Sequence, residues 1–469
     1  MKRKLFVVMG ILLILLALMS INRVGAWNVN IIEFYPDSGV VKLNGETVPT
    51  ASRPIIVNDR LYVPIRTVSN LIGATITWNA TDRYATMYVP DFISMLTELD
   101  AKEEEIADLR AQVDSVGVYG DVLKLITGKY LYKNEVSLQS LTYSAIKGAI
   151  ASLHDKYTRF FTPDEVSKRK VLLSGNVQRV GIELTRSSGK YIILDVIEGS
   201  PAYYVGLMPG DVVKAIDDVY VRDMPYDDVK MMLSSTSSRE VKLDIIRNGT
   251  PMTFKVETSH ISTSDFSYEL MSIDGKSVAY IRIKSMDADV TEKMDEALKK
   301  IFFTHRGEAD AYIIDLRGNF GGDLDAARSL LGFFLGGKKV FTLIDNDGEE
   351  TPVYAPVSQW MLSGDRPVYV LIDEGTTSSA EVFAMAMKSY GRAILVGQTT
   401  YGKGVASSVY ELSDGSMLVL TSYEIVGPKG EMLNGAGVLP HVWAMTLYAK
   451  DEAINLFKKS VLHPSDLGR

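Results

Sequence analysis

The chain has 469 residues, of which 46% are hydrophobic and 23% are charged, a composition typical of folded domains and not of disordered segments. At roughly 100–200 residues per domain, this length predicts three or four folded units. The formal net charge of −8 removes the electrostatic basis for nucleic-acid binding. The chain has no cysteine and only five histidines, none of them close together in sequence, so we expect no metal site. No cofactor is predicted.

The N-terminus carries an export signal. Lys2-Arg3-Lys4 precedes an apolar run from Leu5 to Ile21, a length between a signal-peptide core and a minimal membrane helix. Val24-Gly25-Ala26 would suit a signal peptidase, but an uncleaved anchor is favoured. Because the basic residues precede the apolar run, residues 1–29 predict a membrane anchor with the rest of the chain on the extracytoplasmic side of the cell membrane. If the segment is cleaved, the protein is secreted.

Residues 30–91 predict a small β-rich stalk domain. Short apolar strands alternate with turns at Asn44-Gly45 and Asn58-Asp59, and a helix is predicted near 66–72. The run LYVPIRTVSNLIGATITWNATDRYATM resembles the N-terminal domain of copper amine oxidases, although it has no histidine or cysteine to bind copper. Attachment to the cell wall or envelope, self-association and a simple spacer role remain open for this domain.

A heptad repeat begins at Phe92. Seven of its eight a and d positions are apolar, and the exception is Lys102 at a d position. The charged run from Lys102 to Glu105 also fills the solvent side of the helix. This pattern predicts a coiled-coil helix over 92–117 and hence a homodimer, with a lone packed helix as the alternative. Helical periodicity then resumes, and residues 118–172 are predicted to be the helical N-terminal part of the next domains. The a positions are Phe92, Leu99, Ile106 and Val113, and the d positions are Met95, Lys102, Leu109 and Val116.

Residues 173–260 alternate short strands and helices. Strands are predicted at 180–184 and 191–197, a short helix opens at Ser200-Pro201, another helix covers 225–233, and a hairpin closes on Asn248-Gly249. The order GIEL, EGSPAYYVGLMPGDVVKAIDD, YDDVKMML resembles a PDZ domain of the bacterial protease type.

That resemblance implies a peptide-binding role. A PDZ domain adds a peptide beside its first strand and holds the peptide's terminal carboxylate on backbone N–H groups of the preceding loop. Here the implied binding residues are Val180, Gly181, Ile182 and Leu184. A PDZ domain that acts only as a gate is the alternative.

Residues 261–449 predict an α/β core with a mainly parallel sheet, because strands and helices alternate along the chain. Loops at the carboxyl ends of such strands are where a site is expected. Two of them run from a strand through a turn into a helix, 315–324 with paired glycines and 373–381 with consecutive hydroxyl residues. A serine at such a helix start is usually an N-cap, but the helix dipole there also favours an oxyanion.

A nucleophilic serine needs a base, and Lys403 is better placed than any histidine. It lies between two glycines directly after the next predicted strand, so adjacent loops could bring Ser378 and Lys403 together. Burial would disfavour the ammonium form, and a neutral amine can accept the serine proton.

The loops DLRGNFGGDL, DEGTTSSAE and YGKG, following a PDZ-like segment, resemble the C-terminal processing peptidases, a serine–lysine protease family. The resemblance covers residues 118–449, so that 118–172 is predicted to be the helical N-terminal part of the protease. It implies Ser378 as nucleophile, Lys403 as general base, and the N–H groups of Ser379 and of Gly321-Gly322 as the oxyanion hole. Where the family has a glutamine that orients the lysine, this chain has Ser407, a shorter group.

Together these features predict a multidomain α/β protein: membrane segment, stalk, coiled coil, PDZ domain, protease core and a C-terminal tail at 450–469. The predicted function is that of an exported serine endopeptidase that cleaves proteins recognised through their free C-termini. The alternative is a weakly active or inactive envelope scaffold that binds protein C-termini through the PDZ and stalk domains.

Overall fold

The computed structural model describes residues 32–35, 40–43, 46–48, 54–57, 60–64, 75–79, 84–88, 92–173, 177–261 and 264–462. The chain divides into two compact units, Met1–Glu135 and Val136–Arg469. Within the described ranges no helix has the length and apolar character needed to cross a membrane, and the predicted segment 1–29 lies outside them.

The first unit contains short antiparallel strands. A three-stranded sheet has the order β1-β2-β3, and β4-β5 and β6-β7 form two separate hairpins. These strands agree with the β-rich prediction, while the predicted helix near 66–72 falls outside the described residues. The strands are β1 (Ile32–Tyr35), β2 (Val40–Leu43), β3 (Glu46–Val48), β4 (Ile55–Val57), β5 (Arg60–Tyr62), β6 (Thr75–Asn79) and β7 (Tyr84–Tyr88).

One long helix, α1 (Phe92–Lys129), follows and has 38 residues. The predicted end of the helix at 117 is wrong, because the helix runs on through Gly117 and Gly120. A helical glycine costs only about 1 kcal/mol relative to alanine, which does not stop a helix of this length. The side chains of Ile106 and Val116, at a and d positions of the heptad, are 49% and 68% exposed. Coiled-coil pairing through them stays a prediction.

The second unit opens with α2 (Leu138–Ala151), β8 (Arg159–Phe161) and α3 (Pro163–Leu173). The predicted PDZ domain comes next, with a sheet of order β10-β11-β12-β15-β16 that also carries β13, and a small sheet β14-β9-β17. Its β15–β16 hairpin turns on Asn248 and Gly249, whose φ angles of 50° and 82° are those of the predicted tight turn. The elements are β9 (Gln178–Arg179), β10 (Ile182–Ser187), β11 (Lys190–Val196), α4 (Pro201–Tyr204), β12 (Val212–Ile216), β13 (Val219–Tyr220), α5 (Tyr226–Met232), β14 (Ser234–Ser235), β15 (Glu240–Arg247), β16 (Thr250–Glu257) and β17 (Ser259–His260).

The core has the α/β architecture predicted for it. Its main sheet has the order β18-β19-β20-β23-β24-β27, parallel from β19 onward, with β18 antiparallel at one edge. The elements are β18 (Phe266–Ile273), β19 (Lys276–Ile283), α6 (Val290–His305), β20 (Ala311–Asp315), α7 (Leu324–Leu335), β21 (Lys339–Ile344), β22 (Glu350–Tyr354), β23 (Val368–Ile372), α8 (Ser379–Ser389), β24 (Ile394–Gly397), β25 (Val405–Glu411), β26 (Met417–Val426), β27 (Val442–Trp443) and α9 (Ala449–Leu462).

Helices cover both faces of this sheet. Ile314 of β20 packs in the apolar cluster that includes α6, α7 and α8, whereas its neighbour Ile313 packs in the cluster that includes α9. The prediction of a tail from 450 onward is therefore wrong for α9, because Ala453 and Phe457 are buried against the sheet.

A second, antiparallel sheet of order β22-β21-β26-β25 lies in the same unit, with β8 paired to β26. The pairing of β8 with β26 also positions the segment that precedes β8. Tyr157 in that segment lies close to Lys403, in the loop after β24.

Candidate active site

Ser378 lies between the buried strand β23 and the helix α8. It adopts φ 58° and ψ −123°, an unusual conformation for a residue with a side chain, and is the N-cap residue of α8. Such backbone strain costs about 1–3 kcal/mol and persists only where the surroundings hold it. Here the Ser378 N–H donates to Glu381 Oε2 at 2.8 Å.

The carboxylate of Glu381 joins the two loops. It is fully buried, and its Oε2 accepts the backbone N–H groups of both Ser378 and Lys403, each at 2.8 Å. Its Oε1 accepts the Gly402 N–H at 2.6 Å and the Thr400 hydroxyl at 2.5 Å. Burial raises the pKa of Glu381, and these four donors act in the opposite direction. The sequence did not predict this role of Glu381.

Lys403 follows β24 in a largely buried position. Burial lowers the pKa of its amine, opposed by the negative charges of Asp227, Asp155 and Glu381. Its Nζ lies 5.1 Å from the centre of the Tyr157 ring. Burial, the largest of these effects, shifts the amine towards the neutral form, which is the form that can act as a base.

Ser378 and Lys403 line one cleft of about 490 Å³, together with Gly321 and Gly322. The structure thus places the predicted nucleophile, base and glycine loop around the same space. The hydrogen bonds to Glu381 are made by the backbone N–H groups of Ser378 and Lys403, and within the described residues none joins the Ser378 hydroxyl to the Lys403 amine.

The glycine loop approaches Ser378 very closely. A Cβ at Gly321 would lie 2.9 Å from the Ser378 Cβ, and one at Gly322 would lie 2.5 Å from the Met286 carbonyl oxygen. The Gly321 N–H donates to Asn319 Oδ1 at 2.9 Å and is therefore engaged. Among the described residues the N–H groups of Gly322 and Ser379 donate to no protein acceptor, so these two are available to an oxyanion.

Two arginines hold the strand end that leads into this loop. Asp315 is fully buried and accepts Arg317 Nη2 at 2.6 Å and Arg282 Nη1 at 3.1 Å. Burial alone would raise the pKa of Asp315, but Arg317 and Arg282 hold it well below its usual range. The carboxylate is therefore ionised and fixes the start of the loop.

The predicted peptide-binding residues of the PDZ domain line the same cleft as Ser378. Within the described chain the N–H groups of Val180 and Gly181 donate to no protein acceptor, as a carboxylate-binding loop requires. Gly181 has φ +93°, and a Cβ there would lie 2.2 Å from the Ser200 Cβ, so a side chain at this position would disrupt the loop. The residues concerned are Val180, Gly181, Ile182 and Leu184.

An aromatic contact joins the PDZ domain to the glycine loop. The ring of Phe320 stacks on Tyr226, the first residue of α5, with ring centres 3.4 Å apart and planes inclined by 6°. Phe320 also lies 6.3 Å from the Tyr191 ring and packs against the apolar core of the PDZ domain.

Ser407 lies in β25, opposite Thr421. Its hydroxyl is buried and has no hydrogen-bond partner within the described residues, so it makes no hydrogen bond to the Lys403 amine. A role for Ser407 in orienting Lys403 stays a prediction.

Known protein families match three parts of this chain. Residues 277–444 match Peptidase family S41, residues 192–247 match a PDZ domain, and residues 26–88 match the copper amine oxidase N-terminal domain. These three matches correspond to the predicted core, PDZ domain and stalk, respectively.

Similar proteins cover most of the chain. A carboxyl-terminal-processing protease of Synechocystis sp. is 30% identical over 321 residues, which is 67% of this chain and 74% of that protein. A probable CtpA-like serine protease of Staphylococcus aureus is 26% identical over 375 residues, or 80% of this chain and 71% of that protein. The solved photosystem II D1 C-terminal processing protease shares the fold, with a TM-score of 0.54, 24% identity, and coverage of 69% of this chain and 89% of that one. The chain therefore belongs to the S41 family of C-terminal processing proteases, serine-type enzymes, and carries a PDZ domain and a copper amine oxidase N-terminal domain.

Proposed function

We propose that Ser378 and Lys403 form the catalytic dyad of this protease. The observation that carries the proposal is the buried Glu381 carboxylate, which holds the backbone of both residues beside one cleft. The lowered pKa of Lys403 supports its role as the base.

The chemistry follows from these positions. Neutral Lys403 takes the Ser378 proton as the hydroxyl oxygen attacks the scissile carbonyl, and the N–H groups of Gly322 and Ser379 stabilise the oxyanion. Lys403 then returns the proton to the leaving amine, and the C–N bond breaks to give an acyl-serine. A water, deprotonated by Lys403, hydrolyses this ester and restores the enzyme. Cleavage of an unfolded protein by the wild type, and its loss in Ser378→Ala, tests this function.

We infer that substrates are selected through the PDZ domain. Because the PDZ groove and Ser378 share a cleft, a peptide with a free, apolar C-terminus should be cut faster than the same peptide amidated. Ile182→Glu should abolish most of this preference, since it places a carboxylate in the half-buried groove without forcing a side chain into the Gly181 loop. The measurement is the ratio of kcat/KM for the free and amidated peptides.

Val219→Glu is the matched control, because Val219 is an exposed apolar residue of the same domain that does not line the cleft. The control should keep the wild-type ratio. Equal rates for free and amidated peptides in the wild type would leave the domain as a spacer or gate. Binding of the free peptide without any cleavage would instead indicate a scaffold.

We further propose that the protein is tethered on the extracytoplasmic side of the membrane by residues 1–29 and pairs as a homodimer through α1. Basic residues before the apolar run support the first part, and the exposed heptad side chain of Ile106 supports the second. Because the chain has no cysteine, Ile106→Cys introduces a single thiol. In intact cells it should form a disulfide-linked dimer without added oxidant.

Glu104→Cys is the control, since Glu104 occupies the outer heptad position f. It should give little dimer but should react with a membrane-impermeant maleimide on intact cells. Absence of the Ile106→Cys dimer would argue against pairing, and an unlabelled Glu104→Cys would argue against an extracytoplasmic location.

A further inference from the structure

Asp373, directly after β23, joins three segments of the molecule. Its carboxylate is fully buried, and its Oδ1 accepts the N–H groups of Gly375 at 2.9 Å, Thr376 at 3.1 Å and Gly318 at 3.0 Å. Its Oδ2 accepts the hydroxyl of Thr185 in β10 at 2.7 Å. One carboxylate thus connects the serine loop, the glycine loop and the peptide-binding strand of the PDZ domain.

The backbone of both core loops lies very close to β10 around these hydrogen bonds. A Cβ at Gly375 would lie 2.2 Å from the Thr185 hydroxyl oxygen, and one at Gly318 would lie 2.7 Å from the Leu184 carbonyl oxygen. Both glycines therefore allow the backbone of the protease core to touch β10 directly. β10 therefore contacts both the serine loop and the glycine loop.

We propose that Asp373 is a positioning residue, whose ionised carboxylate sets the spacing of the serine and glycine loops and makes that spacing depend on Thr185 of the PDZ domain. The inference rests on the proposed roles of Ser378 and Lys403. A proton on Oδ2 would place a donor where the Thr185 hydroxyl now finds an acceptor, and the neutral Oδ1 would bind its three N–H groups more weakly than a carboxylate oxygen does. Loop spacing should therefore be lost when Asp373 binds a proton.

Charges on each neighbouring segment act on this carboxyl group. Burial raises the pKa of Asp373 to about 6, opposed by the Thr185 hydroxyl, the Gly318 N–H and Arg317, while Asp315 raises it further. Arg186 on β10 and Glu374, the next residue after Asp373, form an ion pair at 4.0 Å. The ionised form, which positions the loops, is present above this pKa and is lost as the pH falls through it.

The test is the slope of log kcat/KM against pH, with a peptide that has no group titrating between pH 4 and 8. If Lys403 is the only group that must lose a proton, the slope on the acid side is about 1. If Asp373 must also be ionised, the slope becomes about 2 below the pKa of Asp373. Thr185→Val removes a donor that favours the ionised form, so the steeper limb should begin roughly one pH unit higher than in the wild type. Thr185→Ser, which keeps the hydroxyl, should restore the wild-type profile. KM at high pH should be unchanged in both variants.

Thr253→Val is the matched control, because Thr253 also donates to an aspartate, Asp244 at 2.6 Å, but on the exposed surface of the same domain. It should reproduce the wild-type profile. Identical profiles for Thr185→Val, Thr253→Val and wild type would overturn the proposal, as would a single slope of 1 throughout. If Thr185→Val does not fold, Thr185→Ala is measured in its place against the same two outcomes. Failure of the dyad assignment is separate, since it would appear as cleavage that survives Ser378→Ala.

Discussion

Ser378→Ala and Lys403→Ala should each lower kcat/KM for peptide cleavage by roughly 10⁴–10⁶-fold, because a nucleophile and its base act as one unit. Lys403→Arg should fail equally, since a guanidinium does not lose its proton near neutral pH. Neither change at Lys403 disturbs the hydrogen bond to Glu381, which is made by the backbone N–H. Cleavage of a fluorogenic peptide, measured beside thermal unfolding, separates lost chemistry from lost folding.

Ser413→Ala and Lys190→Ala serve as controls, because both side chains are exposed and neither lines the cleft. Both should retain wild-type turnover. Wild-type turnover in any of the three dyad variants would show that the dyad is misassigned.

Glu381→Ala should lower kcat/KM by roughly 10²–10³-fold and also destabilise the fold. Removing the carboxylate leaves four donors without an acceptor, those of Ser378, Thr400, Gly402 and Lys403. At about 1–3 kcal/mol for each buried unsatisfied group, the loss in free energy of unfolding should reach about 4 kcal/mol or more. Displacement of the reacting groups by about 1 Å accounts for a loss of activity of the order of 10²-fold.

Glu381→Gln tests positioning with less loss of volume. Its amide keeps one acceptor oxygen but turns an NH₂ group toward N–H donors, so activity should still fall while the packing survives. Urea unfolding and kcat/KM should be measured together, with Glu411→Gln, at an exposed glutamate, as the control. Full activity in Glu381→Gln would show that the carboxylate does not set the geometry of the dyad.

Much of the fold could be predicted from the sequence because the core strands are short apolar runs separated by amphipathic helices. The second sheet could not, since β26 pairs both with its hairpin neighbour β25 and with the distant strands β21 and β8. Such pairings leave no local pattern. The predicted end of the 38-residue helix α1 came too early because Gly117 and Gly120 weaken the helical signal, although isolated glycines do not stop a helix of this length.

The residues of the candidate active site also fall into those that the sequence predicts and those that it does not. Ser378, Lys403 and the paired glycines stand in short motifs whose chemistry is visible in the residue types. Glu381 and Asp373 act through hydrogen bonds to backbone N–H groups and to Thr185, which is 188 positions away from Asp373. No pattern of side chains along the chain can reveal such partners, because the fold alone brings them together.

Phe320 belongs to the protease core by sequence but to the PDZ domain by packing. Its stack on Tyr226 and its contact with the PDZ core mean that one aromatic ring of this domain's interior is supplied from outside it. A PDZ domain excised at residues 173–260 would expose the face of Tyr226 to water. A PDZ domain transplanted from another protein would in turn leave Phe320 uncovered beside Gly321 and Gly322. The two domains are therefore not exchangeable parts, and a working chimaera would have to carry Tyr226 and Phe320 across as a pair.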